Sequence, residues 1–185
     1  MTIASTIDQA VILADRVALR PLQPSDAGHL GLYAGDERVA RATPSIPHPL
    51  PPGWAEALIA RAAMPGADVS IWALEGRGDD TSEPGGTGLL GLMSLTKLER
   101  NQSEVLYWVA PAFWNTGLAS EALAALIAAN PHGSAQLYAQ VFQDNPGSAR
   151  VLTNCGFDYL GDAESFSVSR DSVVQTWTYA LKLKS

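Results

Sequence analysis

The segment from Glu104 to Glu121 constrains the fold more than any other part of the chain. It begins with a β-type run, Val105 to Val109, passes Pro111 and a short aromatic loop, and enters an alanine-rich helical pattern at Gly117. A strand that turns through small residues into a helix leaves several backbone N–H groups unpaired at one point, and the helix dipole adds partial positive charge there. Such a turn can bind phosphate oxygens, so the pattern predicts a phosphorylated cofactor.

Hydrophobic periodicity along the rest of the chain predicts the element order β-α-α-α-β-β-β-α-β-α-β-β, an α/β (α+β) arrangement around a mixed sheet. Ser25 or Asp26 is the predicted cap of the first helix. The predicted strands cover 16–20, 69–74, 89–96, the run into 109, 136–142, 157–160 and 173–183, with 11–13 also strand-like. The predicted helices cover 25–34, 37–42, 54–64, 117–129 and 146–154.

Two long connections are predicted between these elements. Residues 43–53 contain five prolines among eleven residues and therefore form an extended loop. Residues 76–86 are glycine-rich and acidic, and because strands flank them they are predicted to be a mobile hairpin loop. The crossover through the alanine-rich helix predicts a right-handed connection between two parallel strands, whereas the hairpins argue against a purely parallel sheet. Residues 1–185 are expected to form one domain, of which 1–10 could be disordered.

Composition restricts the partners and the compartment. The net charge of −7 argues against nucleic acid and anionic membranes, because both need clustered Lys and Arg. Cys155 is the only cysteine, which excludes an internal disulfide and fits a reducing compartment. With neither a signal-like start nor an apolar window long enough to span a bilayer, the chain is expected to be soluble and cytoplasmic. Three scattered histidines and one cysteine lack metal-ligand spacing, so no metal is expected.

Three segments together resemble the GNAT acetyltransferase superfamily, and within it the branch that acetylates the N-termini of ribosomal proteins. Residues 16–27 resemble the first strand and helix start of that branch, and residues 104–122 resemble its cofactor strand and pyrophosphate loop. Residues 145–157 resemble the later Asn-x-x-Ser-x-x-x-Leu-x-x-x-Gly-Phe segment. The resemblance implies a single-domain, mostly antiparallel sheet with helices on both faces and a central parallel pair that splays apart to bind acetyl-CoA.

The resemblance also implies which residues contact the cofactor. The wedge would lie between 107–109 and 137–141, where the pantetheine arm pairs with the backbone near Val109. Amides from Asn115 through Ala119 would hold the diphosphate, and Gly117 lets phosphate oxygens approach the backbone closely. Asn145 would reach the pantetheine arm, and Arg150 would approach the nucleotide phosphates. The complete set implied is Tyr107, Trp108, Val109, Trp114, Asn115, Thr116, Gly117, Leu118, Ala119, Ser120, Asn145, Ser148 and Arg150.

The chain departs from the family pattern at two positions of the loop and at one position of the later segment. Thr116 stands where a basic residue is common, and Asn115 stands where the branch usually has glycine. Loss of a charge-assisted contact to the diphosphate costs about 1.5–3 kcal/mol when desolvated and less at a wet rim, which predicts weaker cofactor binding. Leu152 occupies the place of a tyrosine that serves as general acid in many relatives, so no acid is assigned.

The reaction implied is transfer of an acetyl group from the thioester to a primary amine, either a peptide N-terminus or a small amine. The amine must be neutral to attack, so a base, or a water chain to one, must take its proton. Glu104 is the candidate base, with a solvent-facing or ion-paired strand residue as the alternative. The N–H of Val109 is the candidate donor to the thioester oxygen. His48, in the proline-rich loop, could position or deprotonate the amine, or could be an exposed loop histidine.

Two functions of different classes remain open on these residues. One is an acetyl-CoA-dependent N-acetyltransferase that acts as a monomer or a homodimer. The other is a catalytically silent CoA-binding or protein-interaction module on the same fold. A nucleotide-binding protein of another fold lacks support, because the chain has neither a Walker-type lysine nor a G-x-G-x-x-G turn.

Overall fold

The computed structural model describes residues 9–78 and 88–184, which contain one eight-stranded sheet with the strand order β1-β2-β3-β4-β5-β6-β8-β7. The strands are β1 Ile12–Leu13, β2 Val17–Pro21, β3 Val69–Gly76, β4 Leu89–Leu98, β5 Gln102–Val109, β6 Gln136–Phe142, β7 Asp158–Ser167 and β8 Ser172–Lys182. The α-helices are α1 Ala27–Ala34, α2 Glu37–Arg41, α3 Trp54–Ala62, α4 Leu118–Ala129 and α5 Pro146–Asn154. This arrangement confirms the predicted fold class, a mixed and mostly antiparallel sheet combined with helices.

The parallel pair lies at the centre of the sheet, as predicted. Strands β5 and β6 pair in parallel across the α4 crossover, whereas the other strand pairs that the model describes are antiparallel. The parallel register runs only from Gln102 opposite Gln136 to Glu104 opposite Tyr138. Beyond that point the two strands separate, which opens a gap between the rest of β5 and the rest of β6. The expected wedge therefore begins after Tyr138 rather than at Leu137.

Each face of the sheet carries its own hydrophobic core. On one face α4 and α5 pack over Val105, Val109 and Leu137, and the inward side chains of α4 are fully buried. On the other face α1, α2 and α3 pack over side chains that include Leu92 and Trp108. Because side chains alternate along a strand, consecutive residues of β5 belong to opposite cores. The helices therefore lie on both faces of the sheet, as predicted.

Strands β4 and β7 both continue beyond their predicted ends. Strand β4 ends at Leu98 and not at residue 96, because the β4–β5 turn is tight: Arg100 and Asn101 take positive φ angles of 57° and 58°. Strand β7 continues to Ser167, whereas the sequence pattern predicted that it ends at Leu160. Pairing with β8 extends β7 through residues whose side chains are partly exposed, so the hydrophobic alternation is too weak to mark the strand.

The predicted helix cap at Asp26 is wrong. Residues Pro24–Asp26 form a 3-10 turn, and the Asp26 side chain makes no capping bond to α1. Its carboxylate instead accepts hydrogen bonds from both terminal nitrogens of Arg20, at 2.8 and 2.9 Å. Burial opposes the charged carboxylate, but these bonds and the amide of Gln23 hold the pKa of Asp26 below its ordinary value. A nearly buried ion pair thus replaces the expected cap.

The β7–β8 turn is tied to the proline-rich loop. The amide of Val168 donates to the Pro44 carbonyl at 3.0 Å. Arg170 bonds the Arg41 carbonyl and the Asp144 carboxylate, and its guanidinium lies 4.9 Å from the centre of the Phe142 ring. These contacts join the C-terminal hairpin to the segment after α2, which is distant in sequence.

Most of the predicted mobile loop at 76–86, and most of the segment 1–10, lie outside the described residues. Within the described part of the chain, no helix is long and apolar enough to cross a membrane.

Candidate functional site

The turn from β5 into α4 has the geometry of an anion-binding loop. Gly117 is the N-cap of α4 with a φ of 80°, a left-handed conformation that glycine adopts without strain. Asn115 also takes a positive φ, 60°, and asparagine is among the residues that best tolerate this region in place of glycine. The first backbone amides of α4 therefore face outward at the positive end of the helix dipole.

A cavity of about 430 Å³ opens beside this loop, and we call it the cofactor cavity after the contacts that the resemblance implies. All thirteen residues implied as cofactor contacts lie in its wall. The wall also contains residues that the sequence did not single out, from α2, the aromatic loop and α5, namely Val39, Ala42, Phe113, Gly147, Val151 and Asn154. Only Val39 and Ala42 belong to a segment far from the quoted motifs, and nothing in their local sequence marks them. The structure thus brings the two halves of the implied site, 107–120 and 145–150, together at one place.

The backbone of β5 directs polar groups into the gap. The amide of Ala110 donates to the Leu90 carbonyl of β4 at 2.8 Å, while Val109 lies opposite Gly91 in the same register. Because hydrogen-bonding direction alternates along an antiparallel ladder, the N–H groups of Val109 and Tyr107 point away from β4 and toward the open side. The Val109 carbonyl accepts a 2.7 Å bond from the Trp114 indole, which fixes the aromatic loop against the strand.

Tyr107 and Asn145 connect the two sides of the cofactor cavity. The Tyr107 hydroxyl donates to the Ser148 carbonyl at 2.8 Å, and burial raises the pKa of this phenol, so it stays protonated. Asn145 is the N-cap of α5, where its side chain accepts from the Ser148 amide and donates to the Ser148 hydroxyl. The carboxamide of Asn145 therefore has a structural role at the place where the sequence implied a cofactor contact. Arg150 is exposed at the rim of the cavity.

Arg16 is a site residue that the sequence did not reveal. It immediately precedes β2, and its guanidinium donates to the Thr116 carbonyl at 3.0 Å and to Glu121 at 2.8 Å. A side chain at Gly117 would lie 3.3 Å from one of its terminal nitrogens. Arg16 thus supplies a positive charge beside a loop that lacks its own basic residue. It is separated from Thr116 by 100 residues, so only the sheet register brings the two together.

We expect Arg16→Gln to weaken acetyl-CoA binding two- to fivefold, as measured by calorimetric titration. The substitution removes the tether of the loop, but the side chain is 54% exposed, so the loss is limited to about 0.5–1 kcal/mol. Arg100→Gln, at the distant β4–β5 turn, serves as the control. Unchanged affinity in a folded Arg16 variant would show that the loop is held without this contact.

Glu104 lies on the other face of the sheet from α4. It does not line the cofactor cavity but a second cavity of about 520 Å³, formed with the proline-rich loop, α3 and β8. Burial raises the pKa of Glu104 above its ordinary value, and it has no ion-pair partner among the described residues. The two cavities share Ala42 and Trp108 in their walls, so they adjoin beside the gap in the sheet.

The remaining candidates lie elsewhere. His48 is exposed in the proline-rich loop and does not line either cavity. His132 lies in a polar cluster at the far end of β5, where its two ring nitrogens contact Ser70 at 2.8 Å and Ser103 at 3.1 Å. No group of three or more metal-ligating side chains occurs in residues 9–78 and 88–184.

The family model described as an acetyltransferase (GNAT) domain matches residues 16–158. A curated relative, the uncharacterized N-acetyltransferase YoaA of Bacillus subtilis (strain 168), is 30% identical over 112 residues. That match covers 60% of this chain and 60% of the relative.

Solved structures with the same fold are more distant in sequence. The microcin C7 self-immunity acetyltransferase MccE, in complex with acetyl-CoA and AMP, superposes with a TM-score of 0.76 at 15% identity, over 91% of this chain and 93% of that one. The ribosomal L7/L12 alpha-N-protein acetyltransferase RimL, in complex with coenzyme A, gives a TM-score of 0.72 at 15% identity, over 94% and 98%. At these identities the likeness establishes the fold.

Proposed function

Because this chain belongs to the GNAT acetyltransferase family, we propose that it transfers the acetyl group of acetyl-CoA to a primary amine. The observation that carries the proposal is the pair of cavities that adjoin beside the gap between β5 and β6. One has an anion-binding loop at its mouth, and the other contains a carboxylate with a raised pKa. A cofactor entering from the first cavity can present its thioester to an amine that enters from the second.

The cofactor would be held mainly by backbone groups. The amides at the start of α4 bind the diphosphate, with Arg16 and Arg150 adding positive charge at the rim. The pantetheine arm then extends along β5 and accepts hydrogen bonds from the outward N–H groups of Val109 and Tyr107. It thus takes the place of β6, which no longer pairs with this part of β5. When bound, acetyl-CoA supplies the activated acyl group.

The chemical step is direct attack of the amine on the thioester carbonyl. A nitrogen–carbon bond forms, the carbon–sulfur bond breaks, and the products are the acetylated amine and the thiol of CoA. The proton that the amine loses passes toward Glu104. Val109 follows Glu104 by five residues, about 16 Å at the rise of an extended strand, which exceeds the reach of one side chain. Glu104 therefore acts through a short chain of water, and a gap-facing N–H of β5 donates to the thioester oxygen.

A two-part experiment tests this function. Calorimetric titration with acetyl-CoA should detect binding at one site per chain. An assay of free thiol over a panel of primary amines should then detect release that depends on both acetyl-CoA and the amine. Binding without turnover on any amine would favour the catalytically silent module. Absence of binding would contradict both functions.

A further inference from the structure

The second cavity, which we call the acceptor cavity, carries a charge pattern that restricts the amine. Among the side chains of residues 9–78 and 88–184 in its wall, only Glu104 and Arg61 are ionisable. Arg61 lies on the face of α3 that also carries Trp54 and Leu58, and in the described chain it makes no ion pair or side-chain hydrogen bond. One carboxylate and one unpaired guanidinium thus face the same space of about 520 Å³.

This pattern disfavours a polycation. Each ammonium group of a polyamine needs a partner to replace its lost hydration. The described wall of the acceptor cavity supplies one carboxylate, and its aromatic side chains offer only the weaker cation–π contact. The guanidinium of Arg61 also repels a second positive charge. A ligand with one amine and one carboxylate matches both charges, because arginine binds carboxylates through two parallel hydrogen bonds.

The rest of the wall indicates that the acceptor also carries an apolar body. Trp54, Leu58, Phe142 and other apolar side chains cover much of the surface of the cavity.

We propose that the acceptor is a small amine that carries one carboxylate on an apolar or aromatic body, such as a free apolar amino acid, with its carboxylate bound by Arg61 and its amine directed to Glu104. This assignment rests on the proposed acetyltransferase function. It distinguishes a free amino acid from a peptide N-terminus, in which the same carboxylate is an uncharged amide.

The test compares acceptors that differ only in the carboxylate. The panel pairs L-phenylalanine with L-phenylalaninamide and 2-phenylethylamine, pairs 6-aminohexanoate with hexylamine, and includes spermidine. We expect kcat/KM for at least one carboxylated member to exceed that of its partners without the carboxylate by tenfold or more. The comparison is most stringent for phenylalanine. Its amide has a less basic amine, which is more often neutral at pH 7 and is therefore the better nucleophile without any recognition of the carboxylate.

Variants separate recognition of the carboxylate from a change in the fold. Arg61→Gln should lower kcat/KM for the preferred carboxylated acceptor at least tenfold and leave kcat/KM for its partner without the carboxylate within twofold. Arg100→Gln, outside both cavities, should change neither value.

The outcomes are distinct. Three results would each overturn the proposed acceptor while the acetyltransferase function stands: equal or better use of the partners without the carboxylate, a preference for spermidine, or a carboxylate preference that survives Arg61→Gln. No thiol release with any acceptor, despite acetyl-CoA binding, would overturn the function and this assignment with it.

Discussion

Replacement of Gly117 by aspartate is expected to weaken acetyl-CoA binding by at least about 100-fold, or about 2.7 kcal/mol. Two effects add. Any side chain at this position must adopt a φ of 80°, which costs residues other than glycine roughly 1–2 kcal/mol. The carboxylate also places a negative charge where the amides of α4 would receive the diphosphate. Calorimetric titration with acetyl-CoA measures the loss.

Asparagine is the matched control at the same position. Gly117→Asn has nearly the same shape as the aspartate variant but no charge, and asparagine tolerates left-handed backbone well. We expect it to weaken binding by about tenfold or less, so the difference between the two variants isolates the charge. Both side chains are good N-caps, so α4 should remain folded. If the new aspartate formed an ion pair with Arg16, binding would still weaken, because the charge of Arg16 would no longer be available to the diphosphate. Normal affinity in the aspartate variant would refute the proposed phosphate loop.

Replacement of Glu104 by glutamine is expected to lower kcat by about 100-fold or more, the range typical for loss of a general base, with acetyl-CoA affinity nearly unchanged. The two effects separate because Glu104 lies in the acceptor cavity and not in the wall of the cofactor cavity. Steady-state kinetics at saturating amine, together with the titration described above, measure both. Glu104→Asp should retain part of the activity, and Glu164→Gln, on the exposed strand β7, is the control. An unchanged rate would remove Glu104 from the mechanism.

The pH profile gives an independent check on Glu104. The carboxylate must be deprotonated to accept a proton, so activity rises as pH increases through its pKa. Because burial raises that pKa, the acidic limb of the kcat profile should lie at higher pH than for an ordinary carboxylate. This limb should disappear in Glu104→Gln. A limb that persists in the variant belongs to another group.

The parts of the site that local sequence encodes could be predicted, and the parts that depend on register could not. Gly117 and the alanine-rich helix follow each other directly, so their spacing alone predicts a phosphate loop. Arg16 reaches the same loop from the position just before β2, across 100 residues, and no local pattern indicates which strand end will lie there. Val39 in α2 and Ala42 just after it, which line the cofactor cavity, were missed for the same reason.

Errors in the predicted elements also have physical causes. Asp26 has the residue type and the position of a helix cap. Its carboxylate nevertheless accepts two charge-assisted hydrogen bonds from Arg20 in place of bonds from the first amides of α1. The C-terminal half of β7 shows no clear hydrophobic alternation, because Phe166 is exposed and Ser167 is buried. Pairing with β8, and not burial of apolar side chains, therefore defines the strand. The face to which Glu104 belongs follows from strand alternation, but the cavity that it lines is formed by α3 and the distant hairpin.

The link between the β7–β8 turn and the proline-rich loop has an evolutionary consequence. Val168 and Arg170 attach the hairpin to the backbone of Pro44 and Arg41, so much of the acceptor cavity is enclosed by segments that take no part in the phosphate loop. Mutations in the hairpin or in the proline-rich loop can therefore change the acceptor preference without a change in the phosphate loop. Paralogues of such a chain can therefore diverge in the metabolites or peptides they modify through changes at one end of the sheet.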